Sequence, residues 1–486
     1  MKLLAVVFAV SLLFVASNAQ PVAPNTENAM DESKRPDAAR EMVQDMREVK
    51  PFPTLVRYDS AGLDALIRNI MTTEHVPGVA TWCSKDGQVI WQQNYGYARL
   101  EDSMPVTNAT IWTLMSISKT VTGSAIMQLW ERGEFDLDDD VNDYLPFDVR
   151  NPRFPDIPIT FRMLMTHTSS IRDNGTIHSL LWIHGDSPVP LGEYLENYLV
   201  PGGIYYQRYN YDLVAPGTNY EYSNAAISLL GYLVEVIEDS FPVHCQDSIF
   251  QPLRMNKTSW FLADLNAQHL AMGYEWKGSH YDSTGLWGMP YYPAASLRAN
   301  VRDLAQHLTV MLQYGTLGAN RILNSATVEL MLTPHFTVDP TYWKGGLTWH
   351  YQYYLGRWLW FHDGGSSGYR TLYGFCPAEG SAFIVLTNAS SELNVIVPIA
   401  FALMDYALEY NSEIASESGV QEGISRSYET QDLFPTILRG PLQLPKNTSY
   451  KVFDITGRVV MPETMKPGIY FIGTDDHMIQ KVIKVK

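Results

Sequence analysis

The sequence predicts an α+β fold: an antiparallel sheet flanked by helices, a largely helical region beside it, and a small C-terminal β-sandwich domain. Two β-rich runs, 79–84 and 88–95, are separated by Lys85-Asp86-Gly87, a sequence typical of a hairpin turn. Two further strand-like runs, 372–376 and 383–386, lie near the other end of the main region. Strands at both ends, with helix-like segments between them and another at 399–410, favour one sheet that the helices cover.

The chain begins with the features of a secretory signal peptide, predicted to comprise residues 1–19. Met1-Lys2 is followed by an apolar run at 3–15 and by Ser17-Asn18-Ala19, small residues that favour cleavage after Ala19. The apolar run is shorter than the ~20 residues that span a bilayer, and an uncleaved anchor is the alternative. Residues 20–52, rich in Pro, Asn and charged side chains, are predicted to form a spacer.

Ser116-Ile117-Ser118-Lys119 places a serine and a lysine one helical turn apart. A lysine held beside a serine hydroxyl can take the proton that a free serine keeps at neutral pH. Apolar residues follow at helical spacing up to Gly133, a predicted stop: Val121, Ala125, Ile126, Leu129 and Trp130. Ser116 would then stand at a helix N-terminus, where free N–H groups favour an oxyanion. An isolated match of this kind is more often a cap or a solvated pair.

A second polar group precedes another predicted helix. Pro216-Gly217 marks a turn, and apolar residues from Ile227 onward recur at helical spacing. Tyr222 and Asn224 therefore lie on a short connection from which polar side chains can project into a cleft. Taken alone, this segment fits a half-buried aromatic and a helix cap equally well.

A third segment, 358–370, is an aromatic run followed by His362-Asp363-Gly364-Gly365. It predicts a strand that leads into a tight turn, and its glycines would let the backbone approach a ligand closely. The alternative is an ordinary hairpin with a surface histidine.

In this order, the three segments resemble the S-x-x-K, Y-x-N and K-T-G or H-x-G motifs of the serine β-lactamase and penicillin-binding protein superfamily. The resemblance is greatest to its class C-like branch of β-lactamase-related esterases and peptidases. Residues 164–170, 137–146 and 346–349 resemble further segments of that branch, so that the likeness covers about residues 55–410. It implies a catalytic domain at 53–411 with a β-lactamase/transpeptidase-like fold.

The resemblance also implies a catalytic role for three side chains. Ser116 would be the nucleophile that becomes acylated. Lys119 and Tyr222 would share the role of general base, with Tyr222 passing the proton to the leaving group. The expected activity is that of a serine hydrolase that cleaves an ester or an amide of a small molecule or peptide.

Substrate binding is implied for Asn224, on the acyl side, and for His362, Gly364 and Gly365. The backbone N–H groups of Ser116 and Gly365 would form the oxyanion hole. His362 would face the cleft where the lactamases have a lysine that helps to bind a carboxylate. A histidine is often neutral at pH 7, because its reference pKa is about 6.5, so esterase or amidase activity is favoured over strong β-lactamase activity. A non-catalytic penicillin-recognising sensor, a true class C-like β-lactamase and a surface-binding protein are the alternatives.

The C-terminal residues 436–486 form a separate β-rich region after a polar linker at 412–435. The patterns in 450–460 and 467–471, and the ending Lys481 to Lys486, closely resemble the type A sorting domain of the type IX secretion system. That resemblance implies passage through the periplasm to the outside of a Gram-negative bacterium of the Bacteroidetes type. A small carbohydrate- or protein-binding domain is the alternative.

Composition limits the remaining possibilities. A net charge of −17 and a pI near 5.1 argue against nucleic-acid binding. The three cysteines are too few for a disulfide framework, and His167 and His244 belong to no ligand cluster with recognisable spacing. The acidic run 136–143 is expected to be a solvated loop. We therefore expect neither a metal nor a cofactor, and no transmembrane segment in the mature chain.

Overall fold

The computed structural model describes residues 58–339, 343–354, 357–390 and 393–410 of one compact unit, Met1–Tyr410. In a second unit, Asn411–Lys486, it describes residues 436–438, 451–454, 461, 468–473 and 478–484. The predicted signal peptide, spacer and linker lie outside the described residues.

Eleven α-helices are present in the described part of the chain. They are α1 Ser60–Thr73, α2 Ser118–Glu131, α3 Phe161–Met165, α4 Gly175–Leu180, α5 Leu191–Leu199, α6 Asn224–Glu238, α7 Phe241–Cys245, α8 Tyr292–Ala295, α9 Val301–Leu312, α10 Ser325–Met331 and α11 Leu393–Glu409. A 3₁₀ turn, Met115–Ile117, leads directly into α2.

The strands of the large sheet are β1 Gly78–Lys85, β2 Gln88–Arg99, β3 Met104–Pro105, β12 Phe336–Asp339, β13 Trp343–Gly345, β14 His350–Tyr354, β15 Arg357–Ser366, β16 Tyr369–Cys376 and β17 Ser381–Thr387. Short strands between them are β4 Trp112–Thr113, β5 Ile183–His184, β6 Gly273–Trp276, β7 Tyr281–Gly285, β8 Trp287–Gly288, β9 Arg298–Ala299, β10 Thr316–Leu317 and β11 Asn320–Arg321. The second unit contributes β18 Thr436–Leu438, β19 Lys451–Asp454, β20 Gly468–Gly473 and β21 Met478–Lys484.

Nine strands form the central sheet in the order β12-β13-β14-β15-β16-β17-β1-β2-β3, and every neighbouring pair is antiparallel. The predicted hairpin around Asp86-Gly87 is confirmed, because both residues take the positive φ that such a turn needs. β1 pairs on its other edge with β17, so the first and last long strands of the unit are neighbours. The predicted α+β architecture is therefore confirmed.

Helices cover both faces of this sheet. On one face, α1 and α11 pack together against β1, β16 and β17, around a core that includes Leu63, Val385 and Leu403. On the other face, α2, α6 and α9 belong to the larger core, with Ile126, Leu230 and Leu308 fully buried. The segment that carries Ser116 thus lies between the sheet and the helical region.

The predicted elements differ from the structure at two places. The late helix predicted from residue 399 begins at Leu393 and continues through Pro398. Gly364 and Gly365, which were predicted to form a tight turn after His362, do not form one. β15 continues through both glycines to Ser366, and the chain reverses at Ser367-Gly368. Gly368 supplies the positive φ of that reversal.

The described strands of the second unit form one four-stranded sheet in the order β18-β21-β20-β19. β18 runs parallel to β21, whereas the other two neighbouring pairs are antiparallel. Over the described residues of both units, no helix combines the length and the apolar character needed to cross a membrane.

Candidate active site

Ser116 lies in the 3₁₀ turn that precedes α2, and not on the α-helix itself. The preceding residue, Met115, has a φ of 51°, a conformation that is uncommon for a side chain of this kind. The turn packs beside β15 and β16, and Thr371 donates a side-chain hydrogen bond of 2.9 Å to the carbonyl of Leu114. The serine is therefore presented from a short, strained turn fixed to the sheet.

Lys119 is completely buried, and its amine nitrogen contacts three oxygen atoms. Nζ lies 2.9 Å from Ser116 Oγ, 2.7 Å from Asn224 Oδ1 and 2.9 Å from the carbonyl of Ala294. The amide and carbonyl oxygens can only accept hydrogen bonds, so they take two N–H groups of Lys119. In the neutral amine, the lone pair then faces the hydroxyl of Ser116.

Burial lowers the pKa of Lys119 to about 7, although the charges of Asp173 and Asp363 oppose this shift. A substantial fraction of the amine is therefore neutral at pH 7. A basic nitrogen with this pKa, hydrogen-bonded to a serine hydroxyl, is suited to general-base work near neutral pH.

Tyr222 is half-buried and shares a side-chain hydrogen bond with Ser116. Its ring also lies under the Lys119 amine, with 4.8 Å between Nζ and the ring centroid. Burial raises the pKa of Tyr222 well above its usual value, and the bond to Ser116 only partly opposes this rise. The phenol consequently stays protonated at neutral pH, and Lys119 is the better base of the two.

Asp173, which sequence reasoning missed, organises the second motif. Its carboxylate accepts hydrogen bonds from the backbone N–H groups of Asn224 (2.9 Å) and Ala225 (3.1 Å) and from the Ser223 hydroxyl (3.2 Å). It also accepts one of 2.6 Å from the side-chain nitrogen of Asn224. This carboxylate sits at the N-terminus of α6, where negative charge is favourable. The available signal was an acid three residues beyond the segment 164–170 that the resemblance had marked.

Asn224 thereby has a different placement from the one expected. Its side-chain oxygen accepts from Lys119, and its side-chain nitrogen donates to Asp173. At most one N–H group of the amide is left for a substrate. The structure thus gives Asn224 the position of a link between Asp173 and Lys119, and its contact with a substrate stays a prediction.

His362 is enclosed and uncharged in the structure, and its contact with a substrate stays a prediction. Only 1% of the residue is exposed, and its Nδ1–H donates to the backbone carbonyl of Asp363 at 2.7 Å. Its ring lies 4.6 Å from that of His350 and 6.4 Å from that of Tyr222. Burial holds the pKa of His362 well below its usual value, so the imidazole is neutral. Neither His350 nor Asp363 was singled out from the sequence.

The two glycines after Asp363 permit close packing at the end of β15. A methyl group on Gly364 would overlap the carbonyl oxygen of Leu114 and crowd the Met115 side chain, and one on Gly365 would overlap Arg370. Gly364 therefore allows the strand to touch the turn that carries Ser116. Formation of an oxyanion hole by Ser116 and Gly365 stays a prediction.

His167 and His244 have hydrogen-bond partners within the protein. His167 Nδ1 accepts from the backbone N–H of Ser223 at 3.2 Å, and its ring packs 4.5 Å from that of Tyr222. His244 shares a hydrogen bond of 3.0 Å with Gln128. The three cysteines are free and buried, so they form no disulfide bond with one another. In the acidic run, Asp140 is paired with Arg150.

The chain is similar to known proteins in sequence and in fold. "Protein flp" of Staphylococcus aureus (strain N315) is 25% identical over 346 residues, which cover 68% of this chain and 63% of that protein. The chain therefore spans less than two thirds of the length of this curated relative.

Two solved structures share the fold. The octameric penicillin-binding protein homologue from Pyrococcus abyssi has a TM-score of 0.60 at 22% identity, over 87% of this chain and 89% of that one. EstCE1, described as a hydrolase with promiscuous acyltransferase activity, has a TM-score of 0.56 at 21% identity, over 71% of this chain and 98% of that one. The Beta-lactamase family model matches residues 63–397, the region that contains every candidate site residue. The chain belongs to the Beta-lactamase family.

Proposed function

We propose that this protein is a secreted serine hydrolase that cleaves an ester or an amide, of the esterase or D-amino acid peptidase type, through an acyl-enzyme on Ser116. The observation that carries the proposal is the contact of Ser116 Oγ with both Lys119 Nζ, at 2.9 Å, and the Tyr222 hydroxyl. Proteins of this fold are generally serine hydrolases, and a neutral amine beside the hydroxyl supplies the activation that serine chemistry needs.

In the acylation step, Ser116 Oγ attacks the substrate carbonyl while its proton moves to the neutral amine of Lys119. The tetrahedral oxyanion would be stabilised by the N–H groups of Ser116 and Gly365. Collapse breaks the bond to the leaving alcohol or amine, which takes a proton from the Tyr222 hydroxyl. Lys119 restores that proton to Tyr222, whose ring it already contacts.

In the deacylation step, water attacks the ester carbonyl of the acyl-enzyme and passes a proton to the neutral amine of Lys119, which returns it to the departing oxygen of Ser116. Departure of Ser116 releases the carboxylic acid and restores the hydroxyl. Asn224 and Asp173 hold the Lys119 amine in place through both steps, because they fix the direction of its hydrogen bonds.

The substrate is proposed to lack the carboxylate that penicillins carry. The neutral, buried His362 supplies no positive charge to such a group, and the adjacent Asp363 is half-buried, with a carboxylate oxygen within 4.8 Å of a ring nitrogen of His362. A carboxylate-bearing substrate would face repulsion from Asp363 when that group is ionised. We therefore do not expect strong β-lactamase activity.

The proposed location follows from the chain ends. The pattern of residues 1–19 supports export to the periplasm, and the likeness of residues 436–486 to a type A sorting domain supports onward passage by a type IX secretion system. The mature enzyme would then act at the outer surface of the cell or outside it.

Intact-mass spectrometry of the purified protein tests the catalytic proposal. We would incubate the protein with a fluorophosphonate and, separately, with a penicillin, with the Ser116→Ala variant as the control. A fluorophosphonate adduct that requires Ser116, without a stable penicillin adduct, is the expected result. A lasting penicillin adduct would support a penicillin-binding protein or β-lactamase instead, and no adduct with either reagent would favour a non-catalytic sensor.

A further inference from the structure

Two histidines beside Tyr222 have a buried ring nitrogen without a hydrogen-bond partner in the described structure. They are His350, which is 4% exposed, and His362, which is 1% exposed, and in each the atom concerned is Nε2. Buried polar atoms are nearly always paired in folded proteins, and an unpaired one calls for a partner.

The tautomer of His362 directs a lone pair toward that missing partner. Nδ1 donates its proton to the carbonyl of Asp363, so Nε2 of the neutral ring carries the free lone pair. A ligating histidine typically makes this kind of bond, because it fixes the ring and raises its basicity toward a metal. The bond is within one strand, β15, and therefore persists whether or not the site is occupied.

A carboxylate completes the group. His350 lies at the start of β14, and His362 and Asp363 lie on the neighbouring strand β15. One potential ligand atom from each of the three residues lies within 4.8 Å of the others. Asp363 is half-buried, whereas the two imidazoles are enclosed.

We propose that His350, His362 and Asp363 form a binding site for a divalent transition metal ion of the zinc class. Two imidazoles and one carboxylate are a ligand set that such ions accept, with a remaining position open to water. Metal–ligand bonds of about 2.0–2.2 Å require ligand atoms roughly 3.3 Å apart in a tetrahedral site, so the three side chains must close inward on binding.

Occupancy of this site would inhibit the hydrolase, a consequence that rests on the proposed function. His350 and His362 lie against the ring of Tyr222, with 6.4 Å between ring centroids in each case. A bound dication there would oppose the positive charge that Lys119 gains on taking a proton, because the Tyr222 ring that both imidazoles approach lies 4.8 Å from the Lys119 amine. The metal and the proton that Lys119 takes from Ser116 would therefore compete.

Cobalt(II) titration of the metal-free protein, produced without a histidine tag, tests the site independently of catalysis. We expect the visible d–d absorption of a four- or five-coordinate ion, saturating at one ion per chain and abolished by added zinc. His350→Gln and Asp363→Asn should each weaken the apparent affinity at least about tenfold. His280→Gln, which changes an exposed histidine elsewhere, should leave it unchanged.

Fluorophosphonate labelling of the same samples separates the metal proposal from the hydrolase proposal. Metal-free protein should label on Ser116, and zinc should slow that labelling in the unaltered chain more than in His350→Gln. Absence of the cobalt spectrum from protein that labels normally would overturn the metal site alone. Equal affinity in His350→Gln and the unaltered chain would also overturn it, and the Asp363→Asn variant decides the matter if His350→Gln fails to fold.

Discussion

The side-chain oxygen of Asn224 accepts a hydrogen bond of 2.7 Å from the amine of Lys119. The opposite end of the same amide donates to Asp173, so the orientation of the amide cannot be reversed without facing its NH₂ group toward Lys119. A carboxylate that never touches the serine thereby controls where the lone pair of Lys119 points.

Acylation of Ser116 should accelerate with pH through about 7, the value to which burial lowers the pKa of Lys119. The base acts only when it is neutral, so the rate should rise about tenfold from pH 6 to pH 8 and then level off. The nearby histidines do not account for this rise in rate, which is the pH limb of the profile. Burial lowers the pKa of His167, His350 and His362, so they are already neutral in this range. The second-order rate of fluorophosphonate labelling measures it, and a flat profile would contradict the role of Lys119.

Asp173→Asn should move that pH limb to lower pH. The charge of Asp173 raises the pKa of Lys119, so its removal lowers this pKa further. The rate at the plateau should also fall, because an amide keeps only one of the two accepting oxygens and cannot serve both the Asn224 side chain and the backbone N–H of Ala225 as the carboxylate does.

Asp186→Asn is the matched control for this change. The Asp186 carboxylate likewise accepts from two backbone N–H groups, those of Leu262 and Ala263, at 2.8 and 2.9 Å. Both substitutions should cost about 1 kcal/mol of unfolding free energy, because each replaces a carboxylate oxygen that accepts a hydrogen bond from a backbone N–H group. Only Asp173→Asn should shift the limb, and an identical shift in both variants would show that the effect is general destabilisation.

Tyr222→Phe should keep the pH limb but lose rate. The phenylalanine ring preserves the packing against Lys119 and His167, whereas the hydroxyl that contacts Ser116 is removed. Loss of a positioned proton donor costs about 10²–10⁴-fold. Turnover of an ester with a poor leaving group is the appropriate measurement, with Tyr220→Phe as the neighbouring control. Full activity in Tyr222→Phe would assign protonation of the leaving group to Lys119 alone.

Gly364→Ala should impair catalysis more than its effect on stability explains. The added methyl group would displace the Leu114 carbonyl, and with it the turn that holds Ser116. A displacement of roughly 1 Å can cost about 10²-fold in rate. Gly345→Ala, on β13 of the same sheet, is the control, because no described atom lies within 4 Å of the added Cβ. The two variants are compared by kcat/KM and Tm, and equal activities would refute the packing argument.

The sequence predicted the parts of the fold that local patterns determine. The hairpin of β1 and β2, the strands β16 and β17 and the helix after Ser116 all have turn residues or apolar spacing of their own. Two-residue strands such as β4 were not predicted, because their pairing with distant segments is a tertiary event.

The candidate site was predicted in its motifs but not in its supporting contacts. Ser116, Lys119 and Tyr222 meet as expected. The role of Asp173 depends on the contact of its carboxylate with the N-terminus of α6, which begins 51 positions later in the chain. His350 was overlooked for the same reason, since only the pairing of β14 with β15 brings it beside His362. The charge state of His362 followed from burial, which sequence spacing does not reveal.

The pairing of β1 with β17 affects when the central sheet can form during folding. Val79 is opposite Thr387 and Lys85 is opposite Ser381, so the middle of the sheet joins segments from both ends of the unit. Such non-local contacts make folding slow, because a long loop must close before they form. A nascent chain that has not yet been synthesised as far as residue 387 lacks part of β17. The central sheet, against which Ser116 and His362 are positioned, is then incomplete. Under the proposed function, hydrolytic competence would therefore arise only after synthesis of the whole unit.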